Sequence, residues 1–120
     1  DLVRSRGLGD VYKRQEIYMP DFSVERLAYL LELPVRKVSK TINDGTGWNF
    51  STMLQTYRIR EACRRLSEKN GVMSKHTIEA IAAGLGFKSR SNFNTVFKKH
   101  TGLTPAAWQK IALSEQDTDR

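Results

Sequence analysis

The chain carries one pattern twice. Ser23-Val24-Glu25-Arg26-Leu27-Ala28 returns as Thr77-Ile78-Glu79-Ala80-Ile81-Ala82, an offset of 54 (77 − 23), and Leu31 and Leu33 pair with Leu85 and Phe87 at the same offset. One residue is then inserted. At an offset of 55 (93 − 38), Val38 pairs with Phe93, Ile42 with Phe97, and Thr46-Gly47 with Thr101-Gly102. Short helical stretches resemble one another by chance, so the shared Glu and Ala mean little alone. The common apolar spacing, the Thr-Gly stop and the single-residue slip together identify a duplicated unit. A chain of 120 residues has room for one domain, or at most two very small ones.

Each unit reads as two short helices. Phe22 and Leu27 suit a hydrophobic staple around an N-cap at Ser23, with Glu25 in the first turn favouring the helix dipole. Val24, Leu27, Ala28 and Leu31 then form the i, i+3, i+4, i+7 stripe of an amphipathic helix. Glu32-Leu33-Pro34 breaks it, because the residue before proline avoids the α region while Pro34 suits a helix start. The second helix is predicted to run to about Asp44, with Val35, Val38 and Ile42 inward and Gly45 ending it. In the second unit Ile78, Ile81, Ala82 and Leu85 share a stripe, Gly84 and Gly86 supply the turn, and Phe93, Val96 and Phe97 face inward. Two short helices joined by a tight, glycine-containing turn describe a helix-turn-helix.

Between the units the apolar residues Phe50, Met53, Leu54, Tyr57, Ala62, Cys63 and Leu66 predict a linker helix over 50–69, stopped by Asn70-Gly71. Thr104-Pro105 opens a last helix past Trp108 and Ile111. No stretch has the alternation of a strand. The expected fold is all-α: two helix-turn-helix subdomains (23–44 and 77–100) joined by a long linker helix, about seven helices if Glu16–Pro20 adds a short one. Residues 1–15 lack periodicity, start at Asp1 without Met, and are similar to the in-frame translation of a sequencing-library adapter. They are expected to be non-native, disordered and outside the folded part, 16–113; a polar tail over 114–120 is expected to fray.

The charge lies in the folded part. Overall there are 20 Lys and Arg against 13 Asp and Glu, giving +7, and residues 16–113 alone hold 15 bases and 8 acids, again +7 (15 − 8). Such a surface attracts polyanions. The 39% hydrophobic content is enough for a core, and no apolar run reaches the ~18 residues of a membrane span, so no membrane contact is expected and the cytoplasm is the expected location. Catalytic inventory is thin. His76 and His100 are 24 residues apart and lack companion ligands, so no metal, cofactor or catalytic residue is expected. Cys63 sits on an apolar stripe as an inert thiol, and Gly84-Leu85-Gly86 lacks the βαβ setting of a phosphate loop. Trp48, Phe50, Phe87, Phe93, Phe97 and Trp108 recur at helical spacing and are expected in the core.

Basic residues on a helix usually form a solvated face, but here they collect on the second helix of each unit. Arg36, Lys37 and Lys40 lie opposite Val38 and Ile42; Lys88, Ser89, Arg90, Ser91, Asn94 and Thr95 occupy the equivalent face of the second unit. In a helix-turn-helix this face enters the major groove. There Arg and Lys pair with guanine, Asn with adenine, and Ser or Thr with either. Arg58, Arg64, Arg65, Lys75, Lys98 and Lys99 are phosphate or solvent candidates, and Lys88 joins the phosphate set. From the residues alone a helical protein-interaction module and a nonspecific nucleic-acid binder stay open beside sequence-specific double-stranded DNA binding.

The stretch Thr77 to Pro105, with Ile81-Ala82, Gly86-Phe87, Ser89, Ser91 and Phe93, then Phe97-Lys98-Lys99 and Thr101-Gly102-Leu103-Thr104-Pro105, resembles the signature of AraC/XylS-type transcription regulators. Asn49-Phe50-Ser51 and Tyr57-Arg58-Ile59-Arg60-Glu61-Ala62 are similar to that family's linker helix, and the likeness covers about residues 20–112. The resemblance implies a DNA-binding domain that activates, or sometimes represses, promoters, with RNA polymerase as a further partner. It also implies a sensory or oligomerisation domain beside this one. Its recognition helices map to 34–44, with Arg36, Ser39 and Lys40 at DNA-touching positions, and to 89–99, with Arg90, Ser91 and Thr95 at such positions. Thr95 stands where many relatives have Arg, and Trp108-Gln109 replaces the usual Tyr-Arg.

Overall fold

A computed structural model describes residues 16–68 and 77–118. A single 3-10 turn, Glu16–Tyr18, leads into α1 (Val24–Leu31) and α2 (Val35–Thr46). The linker helix is α3 (Phe50–Leu66), followed by α4 (Ile78–Gly84), α5 (Arg90–Thr101) and α6 (Pro105–Thr118). Among the described residues there is no strand. The fold is therefore two helix-turn-helix units, α1–α2 and α4–α5, on a central helix. α3 touches α2, α4, α5, α6 and the 3-10 turn, so one continuous core forms around it.

The duplication persists to the level of single hydrogen bonds. Ser23 Oγ accepts from Arg26 N–H at 3.1 Å, and Thr77 Oγ1 accepts from Ala80 N–H at 3.0 Å. Each unit turns through one left-handed residue, Glu32 (φ 57°) in the first and Gly86 (φ 90°) in the second. The next amide then bonds back across the turn, Leu33 to Ala28 at 3.0 Å and Phe87 to Ala82 at 3.1 Å. At the far ends Thr46 Oγ1 donates to Ile42 O and Thr101 Oγ1 to Phe97 O (2.7 and 2.9 Å). Gly47 and Gly102 close both helices in the left-handed conformation, φ 77° and 85°.

The core follows the predicted stripes. Leu27, Ala28, Val38 and Ile42 are buried in the first unit, and Ile81, Ala82, Leu85, Phe93, Val96 and Phe97 in the second. Phe87, Phe93, Phe97 and Trp108 form a chain of tilted and edge-on ring contacts at 5.0–6.1 Å. Four details differ from the sequence expectation. α2 runs through Gly45 to Thr46, because Gly47 and not Gly45 adopts the left-handed conformation that ends a helix. Pro34 is the N-cap, with extended backbone, rather than the first helical residue. Val35 is 38% exposed, because it begins α2 at the rim, where the second unit carries Arg90. Trp48, also 38% exposed, lies in the α2–α3 connection and outside the core. α3 ends at Leu66; the expected stop at Asn70-Gly71, residues 1–15, Lys75 and His76 lie outside the described residues. Cys63 is half-buried, and burial pushes its thiol pKa up.

Candidate nucleic-acid interface

The faces opposite the two packed stripes can be laid out from the helical rotation of about 100° per residue. On α2, Val38 and Ile42 point inward, so Arg36, Lys40 and Asn43 form the outermost row, with Lys37 and Asp44 on one flank and Ser39 on the other; all are exposed. On α5, Phe93, Val96 and Phe97 point inward, so Ser91, Thr95 and Lys98 form the row. Asn92 and Lys99 flank it on one side, Arg90 and the half-buried Asn94 on the other. The two rows correspond residue for residue at the offset of 55 (91 − 36): Arg36 with Ser91, Lys40 with Thr95, Asn43 with Lys98.

These side chains are lightly held. Lys40 Nζ reaches Asp44 Oδ2 at 2.9 Å, and that hydrogen bond and charge raise the Lys40 pKa. Arg90 lies 3.4 Å from Asn94 Oδ1 and 3.8 Å from Glu79 Oε1. Exposed pairs of this kind contribute little to stability, so they can exchange for a ligand at small cost. Thr95 Oγ1 donates to Ser91 O at 3.1 Å, and a hydroxyl engaged in this way can still accept a hydrogen bond. Ser89 is the N-cap of α5: its Oγ accepts from Asn92 N–H at 3.0 Å, which fixes where the helix begins. Lys88 precedes that cap, and Lys98 and Lys99 lie in the last turn, all exposed. His100 shares that turn, and its pKa is lowered by partial burial and by Lys99.

Arg58 does not belong to this surface. It was expected to meet phosphate, but it is only 8% exposed and its guanidinium donates to Ile17 O and Met19 O, both at 2.8 Å. Burial lowers its pKa. Arg64 and Arg65 are likewise engaged, donating to buried Glu61 at 2.7–3.1 Å, with Arg64 also reaching Glu68 Oε1 at 2.6 Å. Burial alone would raise the Glu61 pKa; the two arginines more than offset this and hold it below its ordinary value. The sequence reading passed over Asn43 on the α2 row. Its pairing with Lys98 at offset 55 was the signal available.

Among the described residues no three His, Cys, Asp or Glu side chains cluster as a metal site requires, and no helix is long and apolar enough to cross a membrane.

Comparison with known proteins gives a consistent result. A family model described as a helix-turn-helix domain matches residues 27–111. Over 103 residues the chain is 28% identical to the HTH-type transcriptional activator RhaS of Pectobacterium carotovorum subsp. carotovorum (strain PC1), covering 86% of this chain and 35% of that protein. It thus spans about a third of the length of that curated relative. The DNA-binding domain of AdpA, a global transcriptional factor solved in complex with a target DNA, superposes with a TM-score of 0.75 at 24% identity, over 94% of this chain and 98% of that one. A DNA-binding transcriptional dual regulator from Escherichia coli K-12 gives 0.73 at 19% identity, over 86% and 87%.

Proposed function

The chain belongs to the AraC-type helix-turn-helix family, which binds DNA sequence-specifically to regulate transcription rather than to catalyse a reaction, and from that premise we propose how it reads its site. α2 and α5 enter two successive segments of the major groove on one face of the duplex. The supporting observation is the pair of equivalent exposed rows, set on two copies of one unit and separated by α3. That helix has 17 residues, about 26 Å at ~1.5 Å per residue, which suits the roughly 34 Å repeat of the groove. One chain then reads an asymmetric site of about two turns.

Arg36, Lys37, Ser39 and Lys40 on α2, and Arg90, Ser91, Asn94 and Thr95 on α5, meet base edges, with Asn43 added to the first set. Ser89 contributes through its place at the α5 cap. Lys88, Lys98 and Lys99 meet phosphates and carry the salt-dependent part of affinity. The 35% coverage of the RhaS relative supports a longer regulator, in which a sensory or oligomerisation domain accompanies this one and RNA polymerase is a further partner, acting in the cytoplasm.

Titrating the chain against selected and random duplexes over a salt series tests the reading. A steep salt slope with a specificity ratio of roughly 10³ or more is expected. Equal affinity for every duplex would overturn it in favour of nonspecific binding. Absence of binding even at low salt would return the chain to a protein-interaction module.

A further inference from the structure

Glu16–Met19 do not simply precede the first unit; they lie between the two. On one side, Glu16 Oε1 takes a hydrogen bond from Arg26 Nη2 of α1 at 3.0 Å. On the other, the carbonyls of Ile17 and Met19 take the two bonds from Arg58 of α3. Ile17 and Tyr18 are buried, so this is a packed segment rather than a passing strap. Against it rests the turn of the second unit. A Cβ at Gly86 would stand 2.8 Å from Tyr18 O and 2.9 Å from Arg58 Cζ and Nη2, so the Gly86 backbone lies directly on the guanidinium and the entry segment. The Arg58 Cζ is 5.9 Å from the centre of the Phe87 ring. A second arginine repeats the arrangement: Arg65 lies 5.5 Å from the Tyr18 ring, and a Cβ at Gly84 would meet its Nη1 at 3.2 Å.

We infer that Arg58 is a positioning residue for DNA recognition: by holding Glu16–Met19 under the Gly86 turn, it fixes the angle at which α5 is presented relative to α1 and α2. Only Phe87 and Lys88 separate Gly86 from Ser89, the cap that starts α5, so a tilt at this turn passes straight into the recognition helix. The first unit lacks the device, since its equivalent residue, Glu32, is exposed. The effect of loosening the lock is therefore one-sided. It falls on the half-site read by α5 and spares the half-site read by α2, a consequence that rests on the two-helix reading above.

The full chain carrying Arg58→Lys tests this. An ammonium keeps the charge but loses the planar fork that serves two carbonyls at fixed angles. Thermal melting first establishes that the variant is folded at the assay temperature. Against a selected duplex, a loss of about tenfold or more is expected, while a duplex with the α5 half-site randomised is bound as by the unaltered chain. Gly86→Ala should reproduce the pattern, and the double variant should lose no more than either alone, since both act through one contact.

A DNA-free readout uses spin labels at Tyr29→Cys and Asn92→Cys with Cys63→Ser; Arg58→Lys should broaden the α1–α5 distance distribution. Equal losses at both half-sites, or an unchanged narrow distribution, would overturn the inference. If the unaltered chain bound all duplexes alike, the two-helix reading would fail, and the distance measurement would still decide whether Arg58 orients α5.

Discussion

The duplication supplies an internal control for a strained residue. Glu32 and Gly86 occupy the same turn position (86 − 32 = 54), and Glu32 is the one non-glycine residue with positive φ among the described residues, at φ 57° and ψ 46°. A left-handed conformation costs a residue with a Cβ about 1–2 kcal/mol. Its carboxylate also sits at the C-terminal end of α1, against the helix dipole, an effect of about 0.3–1 kcal/mol. Glycine removes both costs but loses about 0.5–1 kcal/mol through its greater freedom in the unfolded chain. Glu32→Gly should therefore stabilise by about 1 kcal/mol, raising Tm by roughly 4 °C. Glu32→Ala keeps the Cβ and removes only the charge, so it should recover no more than the dipole share. Gly86→Ala should do the reverse, because strain of about 1–2 kcal/mol adds to overpacking of about 1–3 kcal/mol against Tyr18 O and Arg58, less about 0.5–1 kcal/mol recovered in the unfolded chain. A Tm fall of roughly 4 °C or more is expected, read by thermal and guanidinium unfolding. A lower Tm for Glu32→Gly, or a Gly86→Ala variant within about 2 °C of the unaltered chain, would refute the reasoning.

Four further variants separate the roles assigned to exposed and buried side chains. Arg90→Ala should relax base preference at one position at a cost of about 1–3 kcal/mol, whereas Lys98→Ala should weaken all duplexes alike and reduce the salt slope by about one; a uniform loss for Arg90→Ala would move that residue to the phosphate set. Asn43→Ala should relax one position in the α2 half-site with the salt slope unchanged, and a selected-sequence profile identical to that of the unaltered chain would remove Asn43 from the reading row. Because Arg64 and Arg65 hold the folded-state pKa of Glu61 below its ordinary 4.5, its contribution is present above that value and lost as pH falls through the folded pKa. Melting curves between about pH 3 and pH 7 should then show a shallower acid limb for Glu61→Gln, and parallel limbs would contradict the pairing.

The positions read best from the sequence are those that occur in it twice. Apolar spacing places Val38 and Ile42, then Phe93 and Phe97, and each copy checks the other. The same comparison, applied to single residues, corrects the errors made inside the units. Val35 is counterpart to Arg90, a rim position, so its exposure follows. The Thr-Gly pair at 46–47 matches 101–102, so the stop belongs to Gly47 and not to Gly45. Asn43 and Lys98 share one exposed outward position at the offset of 55, and the shorter, uncharged side chain of Asn43 suits a base edge where Lys98 suits a phosphate.

Arg58 has no counterpart, because α3 and the entry segment occur once. Its misassignment came from weighing an arginine by its charge instead of by its neighbours. Leu54 and Ala62 stand four residues before and after it, on the same side of the helix, and both are buried. A guanidinium flanked in that way is desolvated, so it must find acceptors inside the protein. The acceptors it finds are brought by another segment, the carbonyls of Ile17 and Met19. An arginine bracketed at i−4 and i+4 by core residues is thus evidence for an undetected packed segment before it is evidence for a ligand. Glu61, one turn further on beside Ala62, is itself buried and draws Arg64 and Arg65 of its own helix into ion pairs, so those two arginines are not simply a solvated basic face.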